Sequence, residues 1–343
     1  MPTYRDYSLV GRDAEHALEL GLANAQWYKC NIARASLKEL TRRKDGPAIR
    51  DTFIWGLGFL VFGGLAIHFY PGWLSVPFFM AYGVLYGSST DSRWHECGHG
   101  TAFKTFWMND IIYQIACFMI MREPTVWRWS HTRHHTDTLI VGRDPEIGMM
   151  RPPRVLRVIG VFFAIPQTRK SIEKIVLHAT GKLTADEATF IPTTETYKVV
   201  LVARIWLVIH AAVIALALYL GSWLPVLLIG PLPAMYGAWE AVLTGLTQHA
   251  GMAEDVLDHR LNCRTVYMNP VSRFLYWNMN YHVEHHMFPM VPYHALPLLH
   301  EALKADMPPP YPSLWAAYKE IVPAIWRQRS DPNFFVHRSL PNR

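Results

Sequence analysis

The chain has 343 residues, 51% of them hydrophobic and 13% aromatic, with a formal net charge of +6. That length fits one large domain or two ordinary ones. The four cysteines, Cys30, Cys97, Cys117 and Cys263, form no C-x-x-C pair, which excludes a zinc ribbon, an iron–sulfur cluster and a disulfide framework, and points to a reducing compartment.

Residues 1–50 are mixed and charged, without the apolar core of a secretory signal. They read as an N-terminal cytoplasmic or interfacial segment. Leu18, Leu20, Leu22, Trp27 and Tyr28 are available either to lie on a membrane surface or to pack on the main body. Between Arg50 and Arg93 there is no Lys or Arg, and Asp51 is the only acid before Asp91. At about 20 residues per span, this gap holds two transmembrane helices, 52–70 and 73–90, with Tyr70-Pro71-Gly72 at the turn. A second gap follows Arg204 and carries a single charge, Glu240, as far as Gln248. It supplies spans 197–220 and 223–247, with a turn at Gly221–Pro225. A pair of fully buried soluble helices is the competing reading of each gap.

The expected organisation is a membrane domain over 51–300, whose cap comprises 91–196 and 248–300, followed by a C-terminal cytoplasmic segment over 301–343. All 33 Lys and Arg residues lie outside the two outer turns, so the positive-inside rule places the termini and the cap on the cytoplasmic face. The positive charge then reads as contact with anionic lipid head groups. Nucleic acid is not expected, because no basic run with interleaved aromatics occurs.

The cap holds the chemistry. HECGH supplies His95 and His99, HTRHH supplies His131, His134 and His135, and HVEHH supplies His282, His285 and His286. Spacings of three and four residues place the imidazoles of each cluster on one helical face. His249, at the end of the fourth expected span, lies at the depth of a metal beneath a helical bundle. HECGH alone satisfies the H-E-x-x-H pattern of zinc proteases, with Glu96 as general base. That reading leaves the other two clusters unexplained, and the downstream positions of the longer protease motif are Ala102 and Thr105. A histidine-rich metal carrier is the non-enzymatic alternative. Nine imidazoles exceed the roughly three protein ligands of a catalytic zinc and are enough for two metal sites of four to five ligands each. Imidazole suits iron, zinc, copper and nickel alike.

Glu96, Asp137, Asp144 and Glu284 lie in or beside the clusters and are candidates to hydrogen-bond the free ring nitrogens; the alternative is four solvent-facing acids. Glu240, inside the fourth expected span, is a candidate to line a substrate cavity or to pair with a neighbouring span, with His210 as one partner. Trp94, Trp107, Trp127, Trp129, Tyr276, Trp277 and Tyr281 crowd the clusters as channel walls, interfacial anchors or core. His16, His68, His178, His259, His294, His300 and His337 lack the spacing and read as structural or solvated.

In their order, and with an apolar hairpin before the third, HECGH, HTRHH and HVEHH resemble the three histidine boxes of the integral-membrane fatty acid desaturase and hydroxylase superfamily. The resemblance covers about Asp51 to His300. HECGHGTAF is similar to plant and bacterial acyl-lipid desaturases. The sequence around HVEHHMFP also resembles bacterial hydrocarbon oxygenases, including those of rhizopine catabolism. The resemblance implies an all-α integral membrane fold, with four transmembrane helices as two hairpins and a cytoplasmic helical cap holding a histidine-rich di-metal site. It further implies two non-haem iron ions, dioxygen as co-substrate, and the eight box histidines as ligands. His249 matches an extra ligand of some relatives. Where some of them have Asn four residues earlier, this chain has Gly245, so a water held from that position is not expected. The implied reaction is desaturation of a fatty acid or acyl lipid, with hydroxylation or monooxygenation of a hydrocarbon or small alkyl substrate as the alternative. The chain has no dinucleotide fingerprint, iron–sulfur cysteine set or haem module. A separate electron donor is therefore implied: a ferredoxin, a Rieske-type protein, or a b-type cytochrome with its reductase.

Overall fold

The computed structural model describes residues 5–341; the ends of the two terminal segments, 1–4 and 342–343, lie outside the described residues. Among the described residues the structure is helical, and β-pairing is limited to the isolated bridges Thr265–Tyr281 and Val266–Tyr311.

Two helical segments, 34–69 and 193–220, are long and apolar enough to cross a membrane, and in each only 17% of the apolar window is buried. Helix α1 (Asp45–Phe69) starts about two turns before the expected span and stops at Tyr70-Pro71. At 1.5 Å per residue its 25 residues extend roughly 38 Å, more than a hydrocarbon core of about 30 Å requires. Phe53 and Leu60 on α1 are 70% and 75% exposed, so its outer face is apolar without a protein partner.

The helix that holds the second expected span runs on past residue 90. Helix α2 (Ser75–Gly83) passes through a π-helical turn (Val84–Ser89) into α3 (Thr90–Gly98), so the first histidine cluster sits on the last turns of the same helix. Helix α4 (Phe106–Met119) packs back on α3, and α5 (Pro124–Thr136) carries the second cluster. Pro124 at the first turn and the Glu123 carboxylate, which accepts from Val126 N, fix where α5 begins.

The third expected span is α6 (Thr196–Leu220), closed by Gly221 in the left-handed conformation (φ +56°). The fourth departs from a continuous 223–247 helix. It is three pieces: α7 (Leu224–Leu228), α8 (Pro231–Gly237) and α9 (Trp239–His249). Gly230 adopts φ +98°, and Pro231 and Pro233 withhold amide donors, so the helix restarts after Ile229. The break lets α8 cross the π turn closely. The Ser88 hydroxyl donates to the Gly237 carbonyl at 2.5 Å and accepts from Ala241 N at 2.8 Å.

The N-terminal strap does not lie free. The Trp27 indole N–H donates to the Thr136 carbonyl, its ring stacks on His259 at 4.3 Å, and the Arg260 guanidinium lies over the Tyr28 ring. Trp94, Tyr276, Trp277 and Tyr281 are core residues around the clusters, whereas Trp107 and Trp129 are exposed.

The helix crossing yields a test. A Cβ on Gly237 would lie 1.7 Å from the Gly83 carbonyl oxygen, whereas one on Gly64 meets nothing within 4 Å. Gly237→Ala is expected to cost about 3 kcal/mol, at the upper end of overpacking penalties. Gly64→Ala is expected to be neutral or slightly stabilising through helix propensity. Denaturation of the solubilised variants measures both; equal stabilities would refute the close crossing.

Candidate metal centre

The clusters converge from four elements, α3, α5, α9 and α11 (His282–Met287), with a short helix α10 (His259–Asn262) packed against α11. Their imidazoles sort into two groups whose candidate ligand atoms lie within 4.8 Å of one another. The first comprises His95, His99, His131, His135 and His285; the second comprises His134, His249, His282 and His286. All nine sequence candidates are brought together. The clusters interleave rather than each building one site: the HTRHH helix gives His131 and His135 to the first group and His134 to the second.

The ring nitrogens that face one another are Nε2. In the first group His95 and His285 are 2.7 Å apart, His99 and His131 3.1 Å, His131 and His135 3.2 Å, and His135 and His285 3.2 Å. In the second, His282 is 3.0 Å from both His249 and His286.

The outer nitrogens decide what these contacts are. His131 Nδ1 lies 3.0 Å from Glu146 and His134 Nδ1 2.9 Å from Asp144. His249 Nδ1 donates to the Asn262 carbonyl at 2.9 Å. Thr138 gives its only proton to the His134 carbonyl at 2.6 Å, so its oxygen accepts from His286 Nδ1 at 3.1 Å. A neutral imidazole with its proton on Nδ1 presents a bare lone pair at Nε2. Several lone pairs therefore face one another across about 3 Å, with too few protons to pair them. A cation in each group resolves that repulsion, and the donor set fits such an ion.

Electrostatics favour the neutral rings a metal needs. Burial first, and the neighbouring imidazoles second, push His95, His135, His282, His285 and His286 well below the ordinary histidine range. His134 differs: burial opposes its charge, but the Asp144 carboxylate prevails and raises it to about 9. Burial also opposes ionisation of Glu146, yet His131 beside it brings that carboxyl down to about 2.

The four acids singled out in the sequence take different places. Asp144 reaches a box histidine and also accepts from Leu139 N and Glu146 N, which shapes the loop after α5. Glu96 is fully buried and accepts from the Thr101 hydroxyl and from Tyr293 N; its Oε1 comes only to 3.9 Å from His285 Nδ1, too far for a hydrogen bond. Asp137 departs from the expectation: it lies at the C-cap of α5 and is held by Arg143 and Arg133. Glu284 departs as well, accepting from His300 at 2.5 Å and Thr265 at 2.6 Å.

Glu146, Asn262 and Thr138 were missed. Only Glu146 left a trace in the sequence, as a second acid two residues after Asp144. His259, read as structural or solvated, stands with its ring 5.1 Å from His286, and it forms a further compact group with His286 and Cys263. His300 and His178 are structural: His300 is bound to Glu284, and His178 to Glu187 at 3.0 Å.

With this geometry in place, the comparisons with known proteins are specific. The fatty acid desaturase family model matches residues 71–318, and the chain belongs to that family. It is similar to the Delta(12) fatty acid desaturase fat-2 of Caenorhabditis elegans, 33% identical over 79 residues, or 23% of this chain and 21% of that protein. It is also similar to the omega-6 fatty acid desaturase, endoplasmic reticulum isozyme 1, of Glycine max, 31% identical over 88 residues, or 25% and 22% of the two chains. The matches span about a fifth of the length of these curated relatives.

The outer hydrogen bonds carry a prediction. Asp144→Ala and Glu146→Ala should each weaken metal retention by about 10- to 100-fold, the usual effect of removing a histidine's orienting partner. Asp137→Asn should leave retention unchanged, because Asp137 binds arginines and no box histidine. Chelator competition followed by metal analysis tests this; equal losses in all three variants would contradict the assignment.

Proposed function

We propose that this protein is a membrane non-haem di-iron oxidoreductase that uses dioxygen and external electrons to desaturate an acyl chain. The observation that carries the reading is the convergence of nine imidazoles into groups of five and four, in a chain of the fatty acid desaturase family. His95, His99, His131, His135 and His285 would hold one iron, and His134, His249, His282 and His286 the other. A reduced iron pair bound there supplies the electrons and oxidising strength that dioxygen needs to attack an unactivated C–H bond.

The chain's own residues do the remaining work. Glu146, Asp144, Asn262 and Thr138 hold four rings in the tautomer that presents Nε2 inward. Trp94 sets its edge against His95 and His131 and shields that side of the first group. Burial of most of the rings keeps bulk water away from the reacting carbon.

In this reading α1, α2 with the π turn, α6 and the broken α7–α9 segment are four spans forming two hairpins. The histidine face is cytoplasmic, in line with the positive-inside distribution of Lys and Arg. Electrons come from a separate ferredoxin, Rieske-type protein or b-type cytochrome. A zinc-protease role for Glu96 is disfavoured, because its carboxylate is buried and already bound by Thr101 and Tyr293.

Product mass spectrometry under labelled dioxygen tests the reaction. Reduced, iron-loaded protein is expected to give a product two mass units lighter with no label. Label incorporated into the product would replace desaturation by hydroxylation.

A further inference from the structure

We infer that the helical bundle beside the Glu240 carboxylate receives a hydrogen-bond-donating group, a hydroxyl or an ammonium, carried on an otherwise apolar substrate. The inference rests on the substrate being an acyl or alkyl chain, as proposed above, and it specifies what else that chain must carry.

Glu240 is the second residue of α9 and is 9% exposed. Its Oε1 is buried without a hydrogen-bond partner, and among the described residues its carboxylate makes no hydrogen bond or ion pair. His210, the partner suggested by the sequence, is engaged elsewhere: its Nδ1 lies 2.6 Å from the Trp206 carbonyl, and its ring packs on Phe118 and near Gly230.

Among the described residues no neighbouring donor reaches the Glu240 carboxylate, and the Tyr276 hydroxyl, which accepts from Gln248, makes no hydrogen bond to it. Asp91 on α3 is within electrostatic reach of Glu240, but it is paired with Arg122 at 2.5 Å. The same guanidinium lies over the Trp94 and Trp127 rings at 4.5 and 4.6 Å. Thr244 donates to the Glu240 backbone carbonyl, and Gln248 donates to the Tyr276 hydroxyl.

Glu240, Thr244 and Gln248 fall on one face of α9 at four-residue intervals. They form a polar stripe that ends next to His249, so Glu240 lies roughly 12 Å along the helix from the metal-facing end. A buried acceptor without a donor is costly, and an acid inside a membrane bundle marks the bundle interior or a wet cavity. The missing donor therefore comes from outside the chain. A second carboxylate is a poor occupant beside Glu240 and Asp91, so a free fatty acid would not place its own head group there.

The test measures binding to the full-length, detergent-solubilised chain without turnover, which separates it from the question of desaturation. Radiolabelled dodecanol, dodecylamine, dodecane and laurate are compared, counting only label displaced by excess unlabelled probe. The wild type should bind dodecanol or dodecylamine about tenfold more tightly than dodecane or laurate, the scale of one hydrogen bond to a charged acceptor. Glu240→Leu should remove that preference. The near-isosteric Glu240→Gln should keep the alcohol within a few-fold while weakening the amine. The amine arm distinguishes an ammonium from a hydroxyl as the natural group. A wild-type protein that binds dodecane or laurate as tightly as both donor probes overturns the inference without recourse to any variant. So does a Glu240→Leu protein that retains the preference.

Discussion

Nine imidazoles gathered into two groups, eight of them with Nε2 about 3 Å from a neighbour's, are the constraint on which the rest of this structure depends. Lone pairs do not gather in this way for their own benefit. Most of the rings are buried, most are held as neutral donors, and several have the outer nitrogen tied to an acceptor that turns the inner one toward the centre. Take away a central positive charge and the arrangement is repulsive; supply one and each element around it has a reason for its position. The end of α3 is rooted in the long helix 75–98, and α5 starts at a defined proline and cap. The six-residue α11 is held by Glu284 to His300 and Thr265, which explains why that acid faces away from the metal groups.

The surrounding fold supplies rigidity where the ligands are borne on short pieces. The long helix 75–98 carries the first cluster without a joint, although its π turn locally widens the winding. That turn is where α8 crosses, at a glycine-to-glycine contact too close for any Cβ. The broken fourth segment thus exchanges helical continuity for a close approach, and it delivers both Glu240 and His249 on one straight piece, α9. The two ends of α9 differ: one reaches the candidate metal-holding imidazoles, and the other presents an acid with no hydrogen-bond partner among the described residues.

The histidines were legible because helical spacing reports a shared face directly, and His249 because it closes an apolar segment. The first and third long helices were legible from charge gaps alone. The break at Gly230 was not, since hydropathy averages across a proline that residue geometry does not forgive. Of the four acids read from nearness in sequence, only Asp144 bonds a box histidine; Glu96 stops short of His285, and Asp137 and Glu284 bind elsewhere. Glu284 sits one or two positions from three box histidines, and such neighbours point away from one another on a helix. Asp137 lies past the last helical turn, where two arginines claim it. Glu146 does reach a ring, but from 15 residues beyond His131 through a loop whose path only tertiary structure reveals. His259 had no spacing signal because it belongs to a different short helix.

Iron K-edge X-ray absorption on the iron-loaded, solubilised protein tests the central claim most directly. The account predicts two irons per chain in a nitrogen-dominated first shell, with strong outer-shell scattering from four to five imidazoles per iron. A sulfur shell from Cys263, a shell dominated by carboxylate oxygen, or a single metal per chain would contradict it.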